Sequence, residues 1–182
     1  MNLIKTTFDG LVVLKPTIFK DHRGYFVESY HQKNINKLLG NINFVQDNES
    51  ESTRGVLRGL HFQKPPHAQA KLVRCLKGSV FDVALDLRKN SKTYGCLSTT
   101  ILSSDNKEQL FIPKGFAHGF VVLSESAILS YKVDNYYNPD SESGIIWNDP
   151  DLNIDWKIKK NKITVSEKDS KLSIFNNFIS PF

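Results

Sequence analysis

The chain has 182 residues, with 24 basic and 19 acidic side chains for a formal charge of +5. Its apolar share of 40% and charged share of 24% exclude a collagen-like or largely disordered protein. No apolar run approaches the roughly 18 residues of a membrane-spanning helix. The start, MNLIKTTFDGLVVLKP, lacks the apolar core of a signal peptide, so the expectation is one cytoplasmic domain over residues 1–182. Cys75 and Cys96 show no CxxC spacing, which argues against a disulfide framework or a zinc knuckle. The basic excess suggests nucleic acid, but its one dense run, KIKKNK at 157–162, reads as a solvated face, and no nucleic-acid partner is expected.

In chain order, a short helix is expected over 31–39, with Ile35, Leu38 and Leu39 on one face and Gly40 to end it. SVFDVALDL (79–87) alternates, with Phe81, Val83, Leu85 and Leu87 on one face and Asp82, Ala84 and Asp86 on the other. LSTTIL (97–102), QLFIP (109–113), HGFVVL (118–123) and AILSYKV (127–133) are further strands between turn-rich pieces. A second helix is expected to begin at Ser166. Many short strands with frequent turns predict a mainly-β jelly roll or barrel with a few short helices.

PKGFAH (113–118) matches PxGxxH, part of the cupin signature, and PPHAQAKLVRCLKG (65–78) has the length of its other part. The metal ligands are missing there: Lys71 stands where a glutamate belongs and Pro65 where a histidine belongs, leaving His67 and His118. Two ligands and an ammonium group do not make a transition-metal site, so a cupin barrel without metal or other cofactor is expected.

The remaining chemistry-bearing residues lie in ordered motifs: DHRGYFVESY (21–30), FVQDNES (44–50), VLRGLHFQ (56–63), KLVRCLKGSVFDVALDLRKNSKTYG (71–95), NKEQLFIPKGFAHGFVVLSE (106–125), YKVDNYYNPDSE (131–142) and IIWNDPDLNIDW (145–156). On these motifs the chain resembles the dTDP-4-dehydrorhamnose 3,5-epimerase family of metal-free cupins from about residue 3 to 175. The resemblance implies inversion of C3 and C5 in a dTDP-linked 4-keto-6-deoxy-glucose, without a redox cofactor. It implies His61 as base, Asp169 as the carboxylate orienting it, Tyr131 as proton donor and Lys71 as the cation on the enolate. It also implies substrate contacts from Arg23, Phe26, Glu28, Gln46, Asp47, Asn48, Arg58, His118, Glu142 and Lys168, with Tyr137 stacking on the base. The implied partner is a sugar nucleotide, and the implied assembly is a homodimer in which an N-terminal strand crosses to the second copy.

The residues themselves leave alternatives. His61, between Leu60 and Phe62, also suits a core position, and Asp169 also suits a helix cap on Ser166. Tyr131 shares parity with Leu129 and Val133, so it faces either core or pocket, and Lys71 shares parity with Val73 and Cys75, where an inward ammonium needs a partner or a task. Strict alternation puts Arg58 and His61 on opposite faces; a bulge at Gly59 would bring them to one. The rival functions are a single-centre epimerase, a metal-dependent cupin oxygenase or isomerase, and a binding module.

Overall fold

Thirteen strands and a single α-helix build the protein in the computed structural model, which describes residues 1–182. The strands are β1 (Asn2–Lys5), β2 (Val12–Lys15), β3 (Ile18–Asp21), β4 (Gly24–Val27), β5 (Gln46–Thr53), β6 (Leu57–Gln63) and β7 (Lys71–Lys77). β8 (Ser79–Asp86), β9 (Leu97–Ser103), β10 (Gln109–Ile112), β11 (Phe116–Val122), β12 (Ser126–Val133) and β13 (Glu142–Gly144) complete them, and α1 spans Gln32–Leu39. A six-stranded sheet in the order β1-β2-β10-β7-β12-β5 faces a five-stranded sheet in the order β13-β6-β11-β8-β9; β3 and β4 form a separate hairpin. Every strand pair is antiparallel, giving the expected jelly-roll barrel.

The alternation in β8 assigns its side chains to two different cores. Val80 and Ala84 join Val73, Cys75, Leu110, Phe116 and Leu129 between the sheets. Phe81, Val83, Leu85 and the following Leu87 project outward, beside Leu57, Ala117 and Val121. They stay dry because the C-terminal segment covers them with Trp147, Ile154, Trp156, Ile163, Val165, Phe175, Phe178 and Phe182. That segment contains no strand of the two sheets, so buried side chains, each contributing about 1.5–3 kcal/mol when fully covered, must hold it. The lysines of the 157–162 run remain exposed, as expected.

On the far side, α1 buries Ile35 against Val12, Leu14, Leu72 and Phe111 of the six-stranded sheet and against Ala70 just before β7. Gly40, at φ 84°, ends the helix as expected. The second helix does not form: after Ser166 there is only a 3-10 turn, Asp169–Lys171, before Leu172 returns to extended backbone. β5 was not expected, because it is polar on both faces. Asp47, Glu49 and Glu51 are exposed, while Asn48, Ser50 and Ser52 turn toward the barrel interior.

Candidate active site

Between the sheets lies a cavity of two lobes, about 430 and 220 Å³, which share His61, Lys71 and Tyr131 as their common wall. Arg58, His118, Phe120, Ser50 and Thr164 line the larger lobe. Gln46, Asn48, Gln69, Tyr137 and Glu142 line the smaller.

The β6 irregularity explains how Arg58 and His61 reach one cavity. His61 pairs with His118, but Arg58 pairs with Phe120, so β6 carries one more residue than β11 across that stretch. Gly59 absorbs it at φ 129°, a conformation open to glycine and strained for other residues. The bulge expected at Gly59 is therefore present, and it reverses the parity that otherwise separates the two side chains.

His61 Nε2 lies 2.9 Å from Asp169 Oδ1, while Asp169 Oδ2 accepts a hydrogen bond from the Gly59 amide at 3.0 Å. Burial pushes the Asp169 carboxyl up, but the bonds from His61, Gly59 and Ser166 outweigh it and hold the group below its ordinary value. The ionised carboxylate accepts the Nε2 proton, which leaves Nδ1 of neutral His61 with its lone pair free. Asp169 also keeps its capping turn, because its own amide donates to Ser166 Oγ at 3.0 Å. Main chain and side chain do separate work, so the two readings do not compete.

The segment that carries Asp169 is pinned at both ends. Leu57 donates its amide to the Thr164 carbonyl at 2.8 Å and Thr164 donates to Gly55 at 2.9 Å. At the other end Ile146 donates to Ser173 at 2.9 Å. Asp169 sits between these clamps, 108 residues beyond His61 in the chain.

Lys71 has no carboxylate within ion-pair distance, and its Nζ lies 5.8 Å from the Tyr131 ring centroid. Burial lowers the Lys71 pKa to about 8, with the Asp82 and Glu142 charges opposing the fall. Tyr131 is raised, by burial first, with Arg58 opposing, so it keeps its proton near neutral pH. Since no buried side-chain nitrogen or oxygen lacks a partner, the unpartnered Lys71 Nζ, Tyr131 Oη and His61 Nδ1 open onto the cavity. An imidazole, a phenol and an amine thus face one space.

The other expected contacts divide. Arg58, exposed and free of any acidic partner, donates to Ser52 Oγ at 3.1 Å. Glu142 accepts from Tyr137 Oη and Lys168 Nζ, each at 2.5 Å, so those three act as one cluster beside the smaller lobe. Asp47 is not in the cavity: it faces outward along β5 and binds Lys132 at 2.8 Å. Arg23, Phe26 and Glu28 are not there either. Arg23 pairs with Asp21 at 2.6 Å at the hairpin tip, Phe26 is 67% exposed, and Glu28 accepts from Asn34 at 2.9 Å. His67, the surviving cupin position, bonds Ser141 at 2.9 Å outside both lobes. No group of three or more His, Cys, Asp and Glu side chains is placed to hold a metal ion.

Sequence reasoning did not single out Ser50, Ser52, Phe120, Thr164 or Val165, it read Ser166 only as a helix start and cap, and it did not pair His118. The His118 Nε2 lies 3.0 and 2.9 Å from the two oxygens of Asp82. A carboxylate on the inward face of a barrel strand was the available signal, since such a group must find a donor.

Residues 5–177 match the family model for dTDP-4-dehydrorhamnose 3,5-epimerase. The Escherichia coli K12 enzyme of that name is 49% identical over 180 residues, covering 98% of this chain and 97% of the relative. The crystal structure of the Elizabethkingia anophelis enzyme is similar at TM-score 0.92 and 53% identity, covering 97% of each chain. A Legionella pneumophila 3,5-epimerase solved with dTDP-4-keto-L-rhamnose is similar at TM-score 0.92 and 48% identity, covering 96% of this chain and 93% of that one. With a matching family model, matching fold and matching length, the chain belongs to the dTDP-4-dehydrorhamnose 3,5-epimerase family of isomerases.

Proposed function

We propose that the protein inverts C3 and C5 of a dTDP-linked 4-keto-6-deoxy-glucose, using His61 and Tyr131 on opposite faces of the sugar. The observation that carries this reading is the convergence of His61, Tyr131 and an unpaired Lys71 on the space shared by both lobes. The C4 ketone acidifies the hydrogens on both neighbouring carbons. His61 Nδ1 takes one of them, the electron pair moves onto the ketone oxygen, and Lys71 donates a hydrogen bond to the enolate. Tyr131 then delivers a proton from the far face; exchange with water takes the proton from His61 and returns one to Tyr131, and the sequence repeats at the second carbon. Asp169 stabilises the imidazolium that forms and keeps the ring in the productive tautomer.

Arg58 suits the diphosphate, because its planar fork can donate two parallel hydrogen bonds and no carboxylate competes for it. Gln46, Asn48 and Tyr137 suit the nucleoside along the smaller lobe. The exposed hairpin with Arg23, Phe26 and Glu28 is assigned to the cavity of a second copy, in a homodimer. Its strand aromatics, with Phe19 60% and Tyr25 57% exposed, support that placement.

The test is NMR of dTDP-4-keto-6-deoxyglucose with the protein in deuterated water. Deuterium entering at C3 and C5, with rhamno-configured product, is expected. Exchange at one carbon alone would establish a single-centre epimerase instead, and no exchange at either would overturn the reading.

A further inference from the structure

Asp82 is a buried charged group that takes no part in the acid–base chemistry itself. Asp82 on β8 is fully buried and points into the barrel, where His118 Nε2 is the sole hydrogen-bond donor to its carboxylate. A buried carboxylate with so few donors is costly unless another charge compensates it. Lys71, which lacks an ion-pair partner and is strongly desolvated, lines the same lobe as the His118 that Asp82 holds, and the Asp82 charge acts on it. The two groups therefore complement each other within the barrel.

We propose that Asp82 is a positioning residue for epimerisation: its charge keeps Lys71 an ammonium ion, and its bond to His118 Nε2 turns His118 Nδ1 toward the cavity. The inference rests on the reading of Lys71 as the cation that receives the enolate. A neutral amine has no such effect, so losing its proton would raise the barrier to deprotonation at both carbons. The ionisable groups around Lys71 are Arg58 and His61 on β6, Asp82 on β8, His118 on β11, Tyr131 on β12 and Glu142 on β13, with Lys168 and Asp169 behind them. Of the three carboxylates, Glu142 is already bonded to Lys168 and Tyr137, and Asp169 to His61. Asp82 is the one whose only partner is an imidazole.

The direction follows from the titration of Lys71 near pH 8. Its charge is present below that pH and lost above it. Removing a neighbouring negative charge lowers an amine pKa by about one unit. At pH 8 this change cuts the protonated fraction about fivefold. The substitution Asp82→Asn suits the test, because an amide oxygen still accepts from His118 Nε2 while the charge is gone.

The experiment compares pH profiles of kcat/KM for epimerisation between about pH 6 and 10 in the wild type, Asp82→Asn and Lys71→Arg. The alkaline limb is expected to move down by about one pH unit in Asp82→Asn and to disappear in Lys71→Arg, whose charge does not titrate in that range. Activity of Asp82→Asn near pH 6 should stay within about threefold of wild type. An unmoved limb in Asp82→Asn, or a limb that persists in Lys71→Arg, overturns the proposal. A wild-type protein that does not epimerise would instead overturn the function itself. Should Asp82→Asn fail to fold, the double variant Asp82→Asn/Lys71→Met removes both charges and is expected to restore folding. A double variant as unfolded as the single would mean that Asp82 is architectural only.

Discussion

Gly59→Ala tests the feature on which the whole site depends. A Cβ at position 59 would lie 2.4 Å from Gly119 Cα and 2.8 Å from the His118 carbonyl oxygen. Ordinary contacts between carbon atoms lie near 3.5–4.0 Å, so the strands would have to part by more than about 1 Å. Both obstacles are backbone atoms of β11, which lies inside the five-stranded sheet and cannot swing away as a side chain does. Overpacking of this kind costs about 1–3 kcal/mol. The φ of 129° adds about 1–3 kcal/mol for any residue with a Cβ. Together the loss should be about 3–5 kcal/mol, or roughly 10 °C in Tm for a chain of this size. Relief by shifting β6 would also displace His61, Arg58 and the amide that binds Asp169, so kcat/KM should fall more than the unfolded fraction explains. Urea unfolding followed by circular dichroism, with kcat/KM on the folded fraction, measures both effects. A variant within about 0.5 kcal/mol of wild type and fully active would refute the bulge as the device that aligns Arg58 with His61.

His61→Ala and His61→Asn should cut exchange at both carbons by about 10²–10⁴-fold, with Asp169→Asn milder but still severe; an Asp169→Asn variant of unchanged rate would leave that residue only its capping turn. Tyr131→Phe should keep deuterium exchange through His61 yet form little inverted product, and an unchanged ratio of exchange to product would make Tyr131 a wall of the pocket. Exhaustive chelation should leave epimerisation unchanged, whereas activity restored by one divalent metal would contradict the Lys71 chemistry. Asp86 should matter for acid stability. Burial pushes its carboxyl up, but Arg88, Ser91 and Thr93 more than offset this and hold it at about 2, against an ordinary 3.8. Its folded-state pKa is lowered, so its contribution is complete above about pH 4 and is lost as pH falls through 2. At about 1.4 kcal/mol per pH unit it amounts to roughly 2.5 kcal/mol. The stability gap between wild type and Asp86→Asn should close across that window, and a gap independent of pH would refute the assignment.

Local chemistry was enough to read the barrel and much of the site. Alternation in 79–87 separates Phe81, Val83, Leu85 and Leu87 from Asp82 and Ala84, because a strand presents successive side chains to opposite faces wherever it lies. The same rule marks Lys71 as an inward ammonium beside Val73 and Cys75, and the parity conflict between Arg58 and His61 points to Gly59 from the sequence alone. β5 escaped because the face it turns inward lines a polar cavity, and Asn48, Ser50 and Ser52 carry no hydrophobic signal. The C-terminal cover escaped because Leu152, Ile154, Trp156 and Ile158 alternate like a strand yet join neither sheet; they match the outer surface of a sheet built from other parts of the chain. Asp169 lies 108 residues from His61 and Asp82 lies 36 from His118, distances over which no local pattern operates. Which histidine each carboxylate meets, and which expected contacts stay outside the cavity, was decided when the two sheets and the C-terminal segment packed together.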